Sequence, residues 1–143
     1  MILPDLNLLV YAYNTSSPDH HRAKAWWEEC LSGNRPVGLP WAVLLGYLRL
    51  TTSRNVLVDP FSAEEAIGHI RSWLERPQVQ ILQPGPRHLE LLDSLMRASR
   101  AVGSLTTDVH LAALAIEHQA ELHSNDGDFS RFPGLRWTKP LHQ

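Results

Sequence analysis

Short apolar segments alternate along this sequence with longer amphipathic segments, and this alternation constrains the fold more than any other feature. The apolar segments at 2–5, 37–39, 79–82 and 121–124 have the length of strands. The segments between them carry apolar residues at spacings of three and four, which is typical of helices. Strands separated by helices predict β-α-β units, and hence a parallel sheet with helices on both faces.

Local signals place most of the helix boundaries. Helix starts are predicted at Ser17-Pro18-Asp19, Pro40, Ser62, Pro86 and Thr107. The signal at Ser62 is the strongest, because Glu65 three residues later completes a capping box. The first of these helices is expected to stop at Gly33, and Trp137 lies in a candidate last strand.

We expect residues 1–143 to form a single three-layer α/β/α domain around a short, mainly parallel sheet. A chain of 143 residues fits one domain, and a hydrophobic content of 43% is enough for a core. No apolar run approaches the ~20 residues of a membrane span, and the N-terminal segment lacks the features of a secretory signal. Cys30 is the only cysteine, which excludes an internal disulfide and favours a reducing, cytoplasmic location.

The formal net charge of −2 argues mildly against a nucleic-acid-binding protein, because such proteins are usually basic. A cluster of carboxylates lowers the net charge, however, and bound metal ions restore a local positive potential. Arg131, Arg136 and Lys139 gather near the C-terminus. This group is either a patch that faces phosphate or a solvated tail.

Three acidic positions are expected to meet at one edge of the sheet. Asp5 ends the first strand, and Asp126 and Asp128 follow the fourth. Right-handed crossovers place the carboxyl ends of parallel strands on one rim, where ligands bind in open α/β sheets. Asp108 lies in the first turn of the helix that precedes the fourth strand. It reaches the same rim only if the preceding chain returns across the sheet.

A cluster of carboxylates requires a counter-charge. Two carboxylates about 4 Å apart repel by roughly 4 kcal/mol at an effective dielectric constant of 20. Oxygen ligands select Mg²⁺ or Mn²⁺ over zinc, and the eight histidines show no spacing typical of a zinc site. A Mg²⁺ ion held in this way suits the hydrolysis of phosphodiesters without a side-chain nucleophile. The sequence therefore predicts a metal-dependent nuclease.

Each aspartate also has a purely structural interpretation. Asp108 follows Thr107 at a helix start, where a carboxylate interacts favourably with the helix dipole. Asp126 lies in Asn125-Asp126-Gly127, a sequence typical of turns. Asp5 ends a buried strand, and the sequence predicts no capping role for it. The combination, rather than any single member, favours the metal site.

Taken in order, these segments resemble the PIN-domain ribonucleases, and among them the VapC toxins of bacterial toxin–antitoxin pairs. The first motif is Asp5-Leu6-Asn7 after an apolar strand. The second is Asp108 before the Ala- and Leu-rich segment 111–115. The third is Asp126-Gly127-Asp128-Phe129, which follows the strand and Ser124. The resemblance covers essentially the whole chain.

The resemblance implies both a site and a set of partners. The residues expected to be catalytic and to bind Mg²⁺ or Mn²⁺ are Asp5, Asp108 and Asp126, with Asn7, Ser124 and Asp128 in support. Asn7 is expected to orient the ligating carboxylates, and Ser124 to lie at the metal rim. The implied substrate is RNA, often a structured RNA such as tRNA. The implied partners are an antitoxin that blocks the site and a second copy in a homodimer, with no membrane association.

One departure from the family's pattern leaves alternatives open. Such enzymes usually carry a Glu on the helix after the second strand, and Gly46 stands at that position. The first alternative is therefore a degenerate PIN domain that binds RNA or a partner without cleavage. A receiver-like phosphoacceptor domain is disfavoured, because Asp5 lacks an acidic neighbour and Lys139 is the only late lysine. A structural α/β module, with the aspartates as caps and turns, is the third.

Overall fold

A five-stranded sheet lies at the centre of the protein. The computed structural model describes residues 1–142. Its strands are β1 (Ile2–Pro4), β2 (Val37–Pro40), β3 (Val79–Leu82), β4 (Glu121–His123) and β5 (Trp137–Thr138). They lie in the order β3-β2-β1-β4-β5, and every neighbouring pair is parallel. The parallel sheet predicted from the sequence is confirmed.

Within residues 1–142, six α-helices cover the two faces of the sheet. They are α1 (Leu6–Tyr13), α2 (His20–Ser32), α3 (Trp41–Thr51), α4 (Ala63–Leu74), α5 (His88–Ser99) and α6 (Thr106–Glu117). Right-handed crossovers put α1–α4 on one face and α5–α6 on the other, because the strand order reverses after β3. The contacts agree, since α1 packs on α2 and α3, and α5 packs on α6. The three-layer α/β/α architecture is confirmed.

The starts of α1 and α6 differ from the sequence prediction, and α5 begins at His88 rather than at Pro86. Helix α1 was not foreseen, because it follows β1 with no turn residues and half of its eight residues are buried apolar ones, which hides a helical pattern. Thr107 was expected to cap α6, but the helix already begins at Thr106. A short 3₁₀ segment, Gly103–Leu105, runs directly into it and leaves no position for a separate capping side chain.

Other predicted boundaries are confirmed. Helix α2 ends at Gly33, and α3 begins immediately after Pro40. The capping box before α4 has both of its hydrogen bonds. The Glu65 amide donates to the Ser62 hydroxyl, and the Ser62 amide donates to the Glu65 carboxylate, each at 3.1 Å. None of the helices within residues 1–142 has the length and apolar character of a membrane span.

An aromatic cluster holds the α1–α4 layer together. Trp27, Tyr47 and Trp73 are fully buried, with ring centroids 5.5 Å apart for the two tryptophans and 4.8 Å apart for Tyr47 and Trp73. The Trp73 indole N–H donates to the Tyr13 hydroxyl at 2.8 Å, which ties the end of α1 to α4. Burying each such ring contributes roughly 1.5–3 kcal/mol. This packing fixes α1, whose first turn follows Asp5.

Candidate active site

Three carboxylates lie together at the carboxyl edge of the sheet. Asp108, Asp126 and Asp128 each offer an oxygen, and these oxygens lie within 4.8 Å of one another. Asp126 and Asp128 belong to the segment after β4, whereas Asp108 comes from the first turn of α6. The structure therefore brings together residues from two separate segments, as the sequence suggested.

The path of α5 explains how Asp108 reaches this edge. The Glu117 carboxylate at the end of α6 accepts hydrogen bonds from the Gly85 amide at 2.8 Å and the Arg87 amide at 3.1 Å. The beginning of α5 thus lies beside the end of α6, and the two packed helices run antiparallel. Because α5 carries the chain back, α6 begins at the edge where Asp108 is needed.

Asp5 lies beside the three carboxylates but is far more buried, with an exposed fraction of 7%. Its amide donates to the His123 carbonyl at 2.9 Å, which extends the pairing of β1 with β4. Its Oδ1 accepts from the Leu6 amide at 2.8 Å, so Asp5 caps α1. The expectation that Asp5 has no capping role is therefore wrong, because a helix begins directly after the strand.

A chain of hydrogen bonds connects Asp5 to the segment after β4. The Ser124 hydroxyl, fully buried, donates to Asp5 Oδ2 at 2.7 Å and accepts from the Asp126 amide at 3.0 Å. Asp126 Oδ1 in turn accepts from the Asp128 amide at 2.9 Å. Ser124 thereby sets the spacing between Asp5 and Asp126. Each carboxylate oxygen keeps a second lone pair that is available to a ligand.

The site contains several acidic side chains close together, with Arg131 as the positive charge that opposes them. Burial, together with the charges of Asp5, Asp126 and Asp128, raises the pKa of Asp108 to about 6, against the opposing effect of Arg131. Burial also raises the pKa of Asp5, although its hydrogen bonds from Ser124 and Leu6 oppose this. The ionised cluster is therefore unfavourable without a counter-charge.

The residues fit a divalent cation of the magnesium class. Mg²⁺ binds oxygen at about 2.1 Å, so ligands on opposite sides of the ion lie about 4.2 Å apart. The observed spread of up to 4.8 Å needs only small side-chain rotations to reach that value. All the donors in the group are carboxylate oxygens, which favours Mg²⁺ or Mn²⁺ over zinc.

Comparison with known proteins places the chain in a family. The PIN-domain family matches residues 2–135. The chain belongs to the PIN-domain family. Among curated relatives, the ribonuclease VapC33 of Mycobacterium tuberculosis is 47% identical over 143 residues, which cover 100% of both chains. The ribonuclease VapC37 of the same organism is 39% identical, over 98% of this chain and 97% of the relative.

Solved PIN-domain structures share the fold. VapBC2 from Rickettsia felis, bound to a DNA fragment from its promoter, has a TM-score of 0.69 at 19% identity, over 96% of this chain and 98% of that one. VapC20 from Mycobacterium tuberculosis, described as a Sarcin-Ricin loop cleaving toxin, has a TM-score of 0.67 at 21% identity. That match covers 95% of this chain and 99% of the other. At these identities the likeness concerns the fold alone.

Packing accounts for the glycine at the position where PIN domains usually carry a Glu. Gly46 is buried in α3, and a Cβ atom there would overlap Leu6 Cδ2 of α1 and lie 3.3 Å from Leu6 Cδ1. Leu6 thus fills the space that a side chain at position 46 would use. A close contact between α1 and α3, rather than room for a ligand, therefore occupies this position.

Two further residues differ in how they relate to the PIN-domain site. Asn7 is exposed on the first turn of α1, and no hydrogen bond found within residues 1–142 involves its side-chain amide. Its orienting role stays a prediction. Arg131, by contrast, lies 3.4 Å from Asp128 Oδ1, whereas the sequence suggested it only as one member of a candidate phosphate-facing group. The spacing Asp128-x-x-Arg131 on one turn was the available signal.

A cavity of about 550 Å³ lies away from the carboxylates, between α2 and the β1–β4 part of the sheet. Polar groups in its wall are bonded to their own neighbours. The Trp26 indole N–H donates to His123 Nδ1 at 3.1 Å, and His123 Nε2 lies 2.7 Å from the Glu121 carboxylate. Because these groups already have hydrogen-bond partners, this cavity indicates a ligand site less clearly than the group of carboxylates does.

Proposed function

We propose that this protein is a toxin ribonuclease that cleaves RNA by metal-dependent phosphodiester hydrolysis and is neutralised by a VapB-like antitoxin. The observation that carries the proposal is the group of Asp108, Asp126 and Asp128, whose oxygens lie within 4.8 Å of one another. The ribonuclease names of the full-length relatives support the reaction class. Nothing in the comparisons favours the alternative of a domain that binds RNA without cutting it.

In this proposal Asp5, Asp108 and Asp126 are the catalytic carboxylates, and Asp128 completes the set. A bound Mg²⁺ or Mn²⁺ ion supplies activation of a water molecule and stabilisation of the leaving oxygen. Ser124 holds Asp5 in position through its 2.7 Å hydrogen bond, which also opposes the rise in the pKa of Asp5 caused by burial. The raised pKa of Asp108 indicates that its ionised form is unfavourable without a counter-charge.

The proposed partners extend beyond RNA. Structural relatives include complexes of VapC-type toxins with their antitoxins, which supports a VapB-like partner here.

We also propose a homodimer. Trp41 and Leu45 lie one turn apart on α3 with exposed fractions of 48% and 58%, and such an apolar pair is suited to a protein interface. We propose that residues 1–143 act as one domain in the cytoplasm, on RNA that includes structured RNA such as tRNA.

The test is cleavage of total tRNA by the purified protein with EDTA, Mg²⁺ or Mn²⁺. We expect cleavage only with a divalent cation, and a loss of at least a hundredfold in Asp5→Asn, Asp108→Asn and Asp126→Asn. Asp93→Asn is the matched control, because Asp93 is an exposed carboxylate on α5 that pairs with Arg97 instead. It is expected to cleave like the wild type.

Two results would contradict the proposal. Cleavage that persists in EDTA would exclude the metal-dependent reaction. Stabilisation by Mn²⁺ without cleavage of tRNA or ribosomal RNA would instead point to a domain that binds metal and RNA but does not cut. Co-expression with a VapB-like antitoxin should restore growth to cells in which the wild type, but not Asp108→Asn, is toxic.

A further inference from the structure

Arg131 lies beside the acidic group formed by Asp108, Asp126 and Asp128. It ends the 3₁₀ segment Gly127–Arg131, which Asp126 caps through the Asp128 amide. Its guanidinium Nη2 lies 3.4 Å from Asp128 Oδ1, and its side chain is 36% exposed. The guanidinium therefore borders the carboxylates and still faces solvent.

The other two cations of the C-terminal group are engaged elsewhere. Arg136 donates to the Gln119 carbonyl at the end of α6, and Lys139 lies 5.5 Å from the centroid of the Trp137 ring. Of the three residues that the sequence suggested as a phosphate-facing patch, only Arg131 is found at the carboxylates. The structure thus selects one member of that patch.

The contact between Arg131 and Asp128 is weak. A charge-assisted hydrogen bond between nitrogen and oxygen is usually 2.7–2.9 Å long, whereas this one is 3.4 Å. Exposed ion pairs contribute roughly 0–1 kcal/mol. A divalent cation that takes Asp128 as a ligand therefore competes with Arg131 at little cost, and the guanidinium becomes free to bind another anion.

We propose that Arg131 binds a phosphate group of the RNA beside the metal centre, and that Asp128 holds it in place until the metal and the RNA are bound. A guanidinium presents several N–H donors in a plane that matches phosphate oxygens. The proposal also explains how a chain with a net charge of −2 attracts RNA at an acidic site. It rests on the proposed function, of which it specifies how the substrate is held.

A purely structural role for Arg131 predicts a different response to metal. If Arg131 only fixes Asp128, its removal loosens a ligand and weakens metal binding. If Arg131 binds RNA, its removal takes a positive charge away from the site. The local potential then becomes more negative, and the affinity for a divalent cation stays the same or rises.

The experiment compares Arg131→Ala and Arg131→Lys with wild type and with Arg97→Ala. Arg97 is the matched control, because it forms an exposed ion pair with Asp93 on α5. RNA affinity is measured by fluorescence anisotropy with a labelled oligoribonucleotide of mixed sequence in Ca²⁺, whose irregular coordination disfavours hydrolysis. Metal affinity is measured separately, from the shift in Tm on titration with Mn²⁺.

We expect Arg131→Ala to weaken RNA binding about tenfold. The slope of log affinity against log salt concentration should decrease by the contribution of about one phosphate contact. Arg131→Lys should retain the salt dependence but only part of the affinity, and Arg97→Ala should behave like wild type. The Mn²⁺ titration midpoint of Arg131→Ala should be unchanged or lower.

Three outcomes would overturn the inference. RNA binding by Arg131→Ala that equals wild type would do so while leaving the proposed ribonuclease intact. A rise in the Mn²⁺ midpoint together with weaker RNA binding would assign Arg131 the structural role. No RNA binding by the wild type would remove the proposed function and this inference with it, and so is distinguishable from the first two outcomes.

Discussion

Replacing Asp108 by Asn is expected to stabilise the metal-free protein at neutral pH. The pKa of Asp108 rises from 3.8 to about 6 on folding, chiefly through burial and then through the neighbouring aspartates. At about 1.4 kcal/mol per pH unit, this difference corresponds to about 3 kcal/mol in favour of the neutral form. Because the side chain is only partly buried, solvent screening reduces the expected effect to roughly 1–2 kcal/mol.

The effect has a defined pH dependence. A carboxyl group whose pKa is higher in the folded state stabilises that state when protonated, so its favourable contribution is present below the unfolded value of 3.8 and is lost as pH rises to about 6. Asn does not ionise and avoids this loss. The free energy of unfolding of Asp108→Asn should therefore exceed that of wild type by the full difference of roughly 1–2 kcal/mol above about pH 7. The two values should converge near pH 4.

The assay is thermal and urea unfolding in EDTA at several pH values. We expect the Tm of Asp108→Asn to be roughly 3–8 °C above wild type at pH 8. Asp93→Asn, on the exposed face of α5, should change little at any pH. Addition of Mg²⁺ should reverse the order, because wild type gains from binding the ion and the variant gains less.

A lower stability of Asp108→Asn in EDTA at pH 8 would refute this reasoning. It would mean that Asp108 serves the first turn of α6 through the helix dipole, where losing the charge costs about 0.3–1 kcal/mol. The two interpretations predict opposite signs, so the sign of the difference at high pH decides between them.

Two further substitutions test the surroundings of the site. Ser124→Ala should lower the free energy of unfolding by about 1–3 kcal/mol in urea titrations, because it leaves the buried Asp5 Oδ2 without its donor, and a neutral result would contradict the assigned hydrogen bond. Gly46→Ala should lower the free energy of unfolding by about 1 kcal/mol, because the new Cβ displaces the end of the Leu6 side chain, while the higher helix propensity of Ala offsets part of the loss. Leu6→Ala in the same chain should recover much of that loss, and its failure to do so would exclude the proposed overlap.

The sequence predicted the sheet and five of the six helices because those elements have local signals. The capping box at Ser62, Gly33 after α2 and Pro40 before α3 mark their boundaries directly. Helix α1 has no such marker, since it begins at the residue after Asp5 and is apolar on most sides. Its detection depends on tertiary packing against α2 and α3, which no local pattern reports.

The sequence predicted candidate residues for the site but not their geometry. The order of motifs predicted Asp5, Asp108 and Asp126, whereas the closest group in the structure consists of Asp108, Asp126 and Asp128. The distances between the carboxylates could not be predicted from the sequence, because they depend on the antiparallel path of α5 and on the short 3₁₀ turn after Asp126. That turn puts Asp128 within the group and brings Arg131 beside it.

Capping and metal binding were treated as rival interpretations of the aspartates, but the structure shows that they are compatible. Asp5 caps α1 through Oδ1, and Asp126 caps the following 3₁₀ turn, while both keep free lone pairs at the edge of the sheet. The caps therefore orient the carboxylates before any ion arrives. Asn preserves a cap, whereas Ala removes it. The stability difference between Asp5→Asn and Asp5→Ala in EDTA thus measures the cap together with the hydrogen bond from Ser124, at about 1–3 kcal/mol. If the two variants are equally stable, the cap does not orient Asp5.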